Sequence, residues 1–254
     1  MPGGSDISFS PRTRTVGQIE QGISPADKQI AAPPRAEGKV TEHAPASAAA
    51  SHGYTLDQRE DLAGGVQWVL DAIGTSIIVA IHPESRVCLG KYLDAETLDD
   101  AVAWSSLKSA RGYNLYFQIN QPKRGLSKKA HKADITHLRA WGYADIDAKD
   151  GRSHDEALAS IYSLPLPPPN IIIATGGGYQ PVWLLPEPIP ATPDAITRVE
   201  ALGERIASMA GGDSVENIDR ILRLPFSRNF PNAKKRASGR VECLSGLFRI
   251  EACA

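Results

Sequence analysis

The chain has 254 residues, 42% of them hydrophobic, with a formal charge of −1 at pH 7; this suffices for the core of one generous domain or two small ones. Charge so close to zero rules out a global electrostatic footprint for nucleic acid, so any such surface must come from local clusters of Lys and Arg. Cys88, Cys243 and Cys253 form no CxxC pair, which argues against a disulfide framework or structural zinc and fits a reducing cytoplasm. No apolar run approaches the roughly 20 residues that span a bilayer, and the N-terminus lacks a secretory h-region.

Residues 1–52 are rich in Pro, Ala, Gly and Ser and show no periodicity. Such a segment buries too little apolar surface to offset its ordering entropy, so a disordered leader is expected there, with a single domain over 53–254. Thr55 and Gln58 make a capping-box pattern ahead of Leu62, Val66, Val69 and Leu70, which predicts a helix opening near Tyr54. The β-branched run Ser76 to Ile81 reads as a strand closed by a turn at His82-Pro83. Ala95 to Ala110 has helical spacing, and Gly112 to Ile119 has the aromatic, alternating character of a strand. The basic stretch Asn120 to Lys132 reads as a loop, Asp134 to Ala140 as a short helix, and Gly142 to Ile146 as a strand.

In the second half, Ser153 and Glu156 form a capping box for a helix reaching about Ser163, which LPLPPP then breaks. Asn170 to Ala174 and Tyr179 to Leu185 are strands joined by a turn at Gly176 to Gly178, a hairpin. Thr192 with Pro193 opens a helix that Gly211-Gly212 ends. This order of elements predicts an α/β (α+β) domain with helices against a largely antiparallel sheet.

Three constellations carry chemistry. In WGYADIDAKDG, Asp145 and Asp147 stand two apart at the end of an apolar strand, so the period of two puts both on one face and turns Ile146 into the core. Hard divalent cations favour such oxygen ligands, although a lone DxD at a strand end is more often two solvated acids. In IIIATGGGYQPVWLL, Gly176, Gly177 and Gly178 permit positive φ and close backbone approach, so that exposed amides there could hold triphosphate oxygens; a triple glycine alone is more often a plain turn. In GGDSVENIDRILRLPFSRNFPNAKKRASGR, Asp213 and Asp219 offer a third carboxylate, and Arg220 and Arg223 bracket an apolar run. Arg228, Lys234, Lys235, Arg236 and Arg240 follow, and together with Lys128 and Lys129 they suit phosphate contact, with a solvated charged loop as the plainer alternative. His82, His131 and His137 lack partners at metal-ligand spacing and read as structural.

The order of these elements, with the glycine hairpin about 30 residues after the DxD and an acid leading into RILRLP, resembles the archaeo-eukaryotic primase superfamily. The likeness is strongest to its plasmid and phage (RepB-like) branch and runs from about Asn114 to Arg240. It implies a catalytic fold with an RNA-recognition-motif-like sheet and two-metal nucleotidyl transfer with Mg²⁺ or Mn²⁺ in plasmid or phage replication. Asp145, Asp147 and Asp213 would be ligands, and Asp219 fits the motif's hydrophobic-then-acid form equally well. It further implies nucleotide contacts from the glycine turn, Gln180, Arg220 and Arg223, and a single-stranded DNA template along the basic residues. Gln180 stands where the family has a histidine, and glutamine cannot carry charge beside a triphosphate. Phe226-Ser227 replaces the usual Gly-Thr pair after the RLP motif. A catalytically weakened replication initiator or DNA-binding protein of the same fold is therefore the second reading, and a metal-dependent nuclease or phosphotransferase the third. No Walker A pattern is present, so a built-in P-loop helicase motor is not expected: the protein would work alone, recruit a helicase, or be a piece of a longer one.

Overall fold

The computed structural model describes residues 54–213 and 215–250; the expected leader lies outside them. Its elements in chain order are β1 Tyr54–Asp57, α1 Leu62–Ile73, β2 Ser76–Ile81, β3 Cys88–Leu93, α2 Leu98–Ala110, β4 Asn114–Gln118, β5 Gln121–Pro122, β6 Ile135–Tyr143 and β7 Ile146–Asp147. These are followed by α3 His154–Tyr162, β8 Ile171–Ala174, β9 Gly178–Pro190, α4 Pro193–Ala210, β10 Ile221–Arg223, β11 Arg228–Asn229, α5 Ala233–Ala237, β12 Cys243–Leu244 and β13 Gly246–Ile250. The fold is mixed α/β, with antiparallel sheets flanked by helices.

The larger sheet runs β1-β13-β8-β9-β6-β5, with β7 also on β9, and the smaller runs β10-β4-β2-β3. A two-stranded ribbon pairs β11 with β12. Successive residues of β2 and β8 enter different apolar clusters: Ile77, Val79 and Ile172 pack with α3 and α4, while Ile78, Ala80, Ile171 and Ile173 pack with α1 and Leu115 and Phe117. Burial on both faces is why these strands read as continuous apolar runs rather than as alternation. Ser153 caps α3 through the reciprocal capping box with Glu156, and Thr192 caps α4 with Pro193 at its first turn, as their sequences predict. No helix of the described residues is long and apolar enough to cross a membrane.

Two expected helices are corrected. Tyr54–Asp57 is a strand, paired in register with Leu247 to Ile250, and Gln58 gives its amide to the Leu244 carbonyl instead of a helix end. The helix starts later, where the Asp61 side chain accepts from Gly64 N. Asp134 to Ala140 belongs to β6, and the helical turn there is a 3₁₀ turn at Lys132–Asp134. Ile135 and Leu138 stand three apart as on a helix face, yet both enter the α3/α4 cluster, because a register shift against β5 falls between Ile135 and His137, where one step on β5 spans two residues of β6, and interrupts the period of two. The hairpin partner β3, absent from the sequence expectation, follows a turn in which His82 N–H donates to the Val87 carbonyl.

Candidate active site

Strands β6 and β7 form one interrupted path along β9. The gap falls at Ala144 and Asp145, and there the Asp145 carbonyl, free of the β9 ladder, accepts the N–H of Asp213 at 2.9 Å. This isolated bridge brings the third acid to the first pair. The paired glycines make it possible: Gly211 ends α4 in the left-handed conformation, and a Cβ on Gly212 would lie 2.9 Å from the Asp145 carbonyl oxygen. Ile146 is fully buried, as the alternation of the DxD predicts, whereas the Asp145 and Asp147 side chains keep 26% and 30% exposure.

Burial, then the charges of Asp147 and Asp213, push the Asp145 carboxyl above the usual carboxylate range; the Gln180 amide at 3.3 Å and the Arg220 charge offset part of this. Arg220 approaches Asp145 to 4.0 Å. The principal cation of the edge is Lys149, whose Nζ lies 2.7 Å from Asp213 and 3.7 Å from Asp147. Its hydrogen bond to Asp213 raises the lysine's pKa. Three mutually repelling carboxylates are the oxygen donors that a hard divalent cation takes, and Asp145, Asp147 and Asp213 are the residues that could hold one. As they stand, no three His, Cys, Asp or Glu among the described residues close around one point, and the Lys149 ammonium lies within 4 Å of two of the acids. Asp219 turns elsewhere: it pairs with Lys129 at 3.1 Å and accepts from Asn217.

The glycine turn abuts this edge. A Cβ on Gly178 would fall 2.1 Å from the Ile146 carbonyl oxygen and 2.6 Å from Asp147 Cα, so β7 packs this closely on β9 only against glycine. The Gly177 carbonyl accepts from Ala148 N, and the Gly177 N–H is directed at the Thr175 hydroxyl. On the turn's other flank lies a cavity of about 220 Å³ lined by Gly176, Asn229, Lys235, Arg240 and Cys243 among others. Arg240 reaches over Gly177, where a Cβ would meet its guanidinium at 2.3 Å.

Arg223 supports this flank from within. Strand β10 delivers it beside β4, where it is 7% exposed and its guanidinium stacks 4.3 Å from the Tyr116 ring centre. It donates to Asn114 Oδ1, the Tyr116 hydroxyl and Asn229 Oδ1 at 3.0–3.1 Å. These acceptors are all neutral, so the positive charge remains available to the neighbouring cavity; burial raises the Cys243 thiol there, and the charges of Arg223 and Arg240 offset part of that rise. Gln180 joins the two flanks: its Oε1 accepts from Arg223 N at 2.9 Å, and its Nε2 donates to Asp145. The side chain is therefore held as a strut between the acid and the arginine strand.

The other basic residues divide into two groups. Arg228 is clamped by Glu60 and Glu242, and Arg236 donates to Glu84. Lys128, Lys234 and Lys235 are exposed, the latter two on α5, whose Asn232 cap holds Lys235 N. Phe226 is buried with φ of 59°, a backbone conformation that glycine adopts without cost. Lys149, Asn114, Tyr116 and Asn229 were not legible as site residues; the one sequence cue was the position of Lys149 two residues beyond Asp147.

No protein-family model matches the chain, and no curated protein matches it. Among solved structures it is similar to the crystal structure of primase RepB′, with TM-score 0.49 and 14% identity over 75% of this chain and 57% of that one. The chain thus spans a little over half the length of that protein. It is also similar to the catalytic domain of primase RepB′ in complex with initiator DNA, with TM-score 0.46 and 14% identity over 72% and 83% of the two chains.

Proposed function

We propose that this chain is the catalytic domain of a DNA primase or primase-polymerase that makes primers on single-stranded DNA from nucleoside triphosphates, in the cytoplasm and in plasmid or phage replication. The observation that carries the reading is the gathering of Asp145, Asp147 and Asp213 on one flank of the Gly176 to Gly178 turn, with the cavity lined by Arg240 and Lys235, and backed by buried Arg223 through Asn229, on the other. An acidic edge and a cationic cavity separated by a thin glycine turn suit a nucleotide whose triphosphate must bridge ligands of both signs.

In this reading Asp145, Asp147 and Asp213 hold Mg²⁺ or Mn²⁺, which when bound supplies charge to activate the attacking 3′ oxygen and neutralise the leaving pyrophosphate. Arg240 and Lys235 receive phosphate oxygens, backed by the buried charge of Arg223. Gln180 fixes the Asp145 carboxylate and the backbone of Arg223 at a set separation. The exposed Lys128 and Lys234 would follow a template backbone, and a replicative helicase is a partner this reading allows. Primer synthesis on single-stranded template with labelled triphosphates is expected from the intact chain and lost on Asp145→Ala with Asp147→Ala. A chain that forms no dinucleotide with either metal on any template contradicts the proposal.

One observation favours a second reading, a non-catalytic replication initiator of the same fold. Gln180 carries no charge and is engaged at both ends of its amide. That protein would bind DNA with an affinity falling steeply with salt, and binding would survive loss of both aspartates.

A further inference from the structure

The Lys149 ammonium lies between two carboxylates carried on different parts of the chain, Asp147 on β7 and Asp213 after α4. On the reading of these acids as metal ligands, it occupies ground that the ion must enter. We infer that Lys149 is a tethered counter-ion: it holds Asp213 against β7 in the metal-free protein and competes with the divalent ion for Asp147 and Asp213.

The arrangement has the properties such a part needs. Lysine is a compact point charge on a flexible four-carbon stem, so it moves without disturbing the backbone. Its side chain is 42% exposed, so it can swing into water at little desolvation cost. Without Lys149, Asp213 would be held to the site only through its backbone bridge to Asp145, while its carboxylate faced two like charges. With a divalent ion bound, that ion and Arg220 together balance the three carboxylates, and an ammonium left in place would repel the ion at close range. The lysine therefore stabilises the empty site and weakens metal affinity, which makes the bound nucleotide's own phosphates more important as co-ligands.

The test is calorimetric titration of the full chain with Mn²⁺ alone, comparing wild type, K149R, K149M and an Asp145→Asn/Asp147→Asn variant, each checked by circular dichroism. K149M is expected to bind Mn²⁺ about tenfold more tightly than wild type, and K149R about as wild type, with the gap narrowing at high salt. Before metal is added, K149M should melt below wild type, and saturating Mn²⁺ should raise its melting temperature by the larger amount. Equal or weaker Mn²⁺ binding by K149M, with binding still abolished in the double asparagine variant, overturns the role of Lys149 while the metal site stands. No Mn²⁺ binding in any form removes the metal site, and this inference with it.

Discussion

On the Asp147 side of the glycine turn, charge stands at the surface and is balanced by a lysine that can leave; on the Arg223 side, charge stands in the core and is held by neutral acceptors. The difference is physical. A buried arginine satisfied by Asn114, Tyr116 and Asn229 is fixed in geometry yet not neutralised, so the cavity beside it is prepared for anions before any arrive. Three carboxylates cannot be prepared the same way, because their mutual repulsion requires a cation at all times. The chain provides one of its own in Lys149, and on the proposed reading a divalent ion replaces it.

Substitutions can break this contrast, and the largest effect is expected on the buried side. Arg223→Met removes the donor to three buried or half-buried acceptors and should cost about 3 kcal/mol in urea unfolding, with loss of triphosphate binding. If stability were unchanged, the arginine would not be part of the core. Next come the glycines of the turn. Gly178→Ala sets a methyl against the backbone of Ile146 and Asp147 and should cost about 2 kcal/mol, displacing Asp147. Gly177→Ala meets only the movable end of Arg240 and should cost under about 1 kcal/mol. Equal costs by chemical unfolding would mean that the turn is not wedged against the acidic edge alone.

The smallest effect sharpens the acidic side. Burial raises the Asp219 carboxyl, but hydrogen bonds from Asn217 and Lys129 outweigh it and hold it below the usual range. A depressed pKa gives stability that is present above the unfolded value of about 3.9 and is lost as pH falls through the lower folded value. Asp219→Asn should therefore lose a few tenths to about 1 kcal/mol at pH 7, and the difference from wild type should close as pH falls below about 4. Mn²⁺ affinity should not change. A drop in affinity equal to that of Asp213→Asn would make Asp219 the third ligand.

Local signals were legible where a few consecutive residues determine the outcome. The Ser153 and Thr192 caps, the Gly211 stop, the IIIATGGGYQPVWLL hairpin and the alternation of Asp145, Ile146 and Asp147 all depend on near neighbours. Contacts between distant residues were not. Tyr54–Asp57 is a strand because β13, at the far end of the chain, pairs with it, and β6 escapes its alternation through irregular pairing with β5 on one side and β9 on the other. The candidate site shows the same division: spacing puts Asp145 and Asp147 on one face, Asp213 enters beside Asp219 only through the family resemblance, and the neutral partners of Arg223 come from β4 and β11 and are brought together only by folding. Lys149 carries no such signal in the sequence, because its meaning lies in the distance to Asp213, across α4.

The most direct test is crystallographic: anomalous diffraction from crystals soaked with Mn²⁺ and a non-hydrolysable nucleoside triphosphate. The account predicts a manganese peak among the carboxylates of Asp145, Asp147 and Asp213, Lys149 swung out, and the triphosphate against the glycine turn toward Arg240 and Lys235. Manganese at Asp219, or a triphosphate lodged away from the turn with no metal on Asp145 and Asp147, would contradict it.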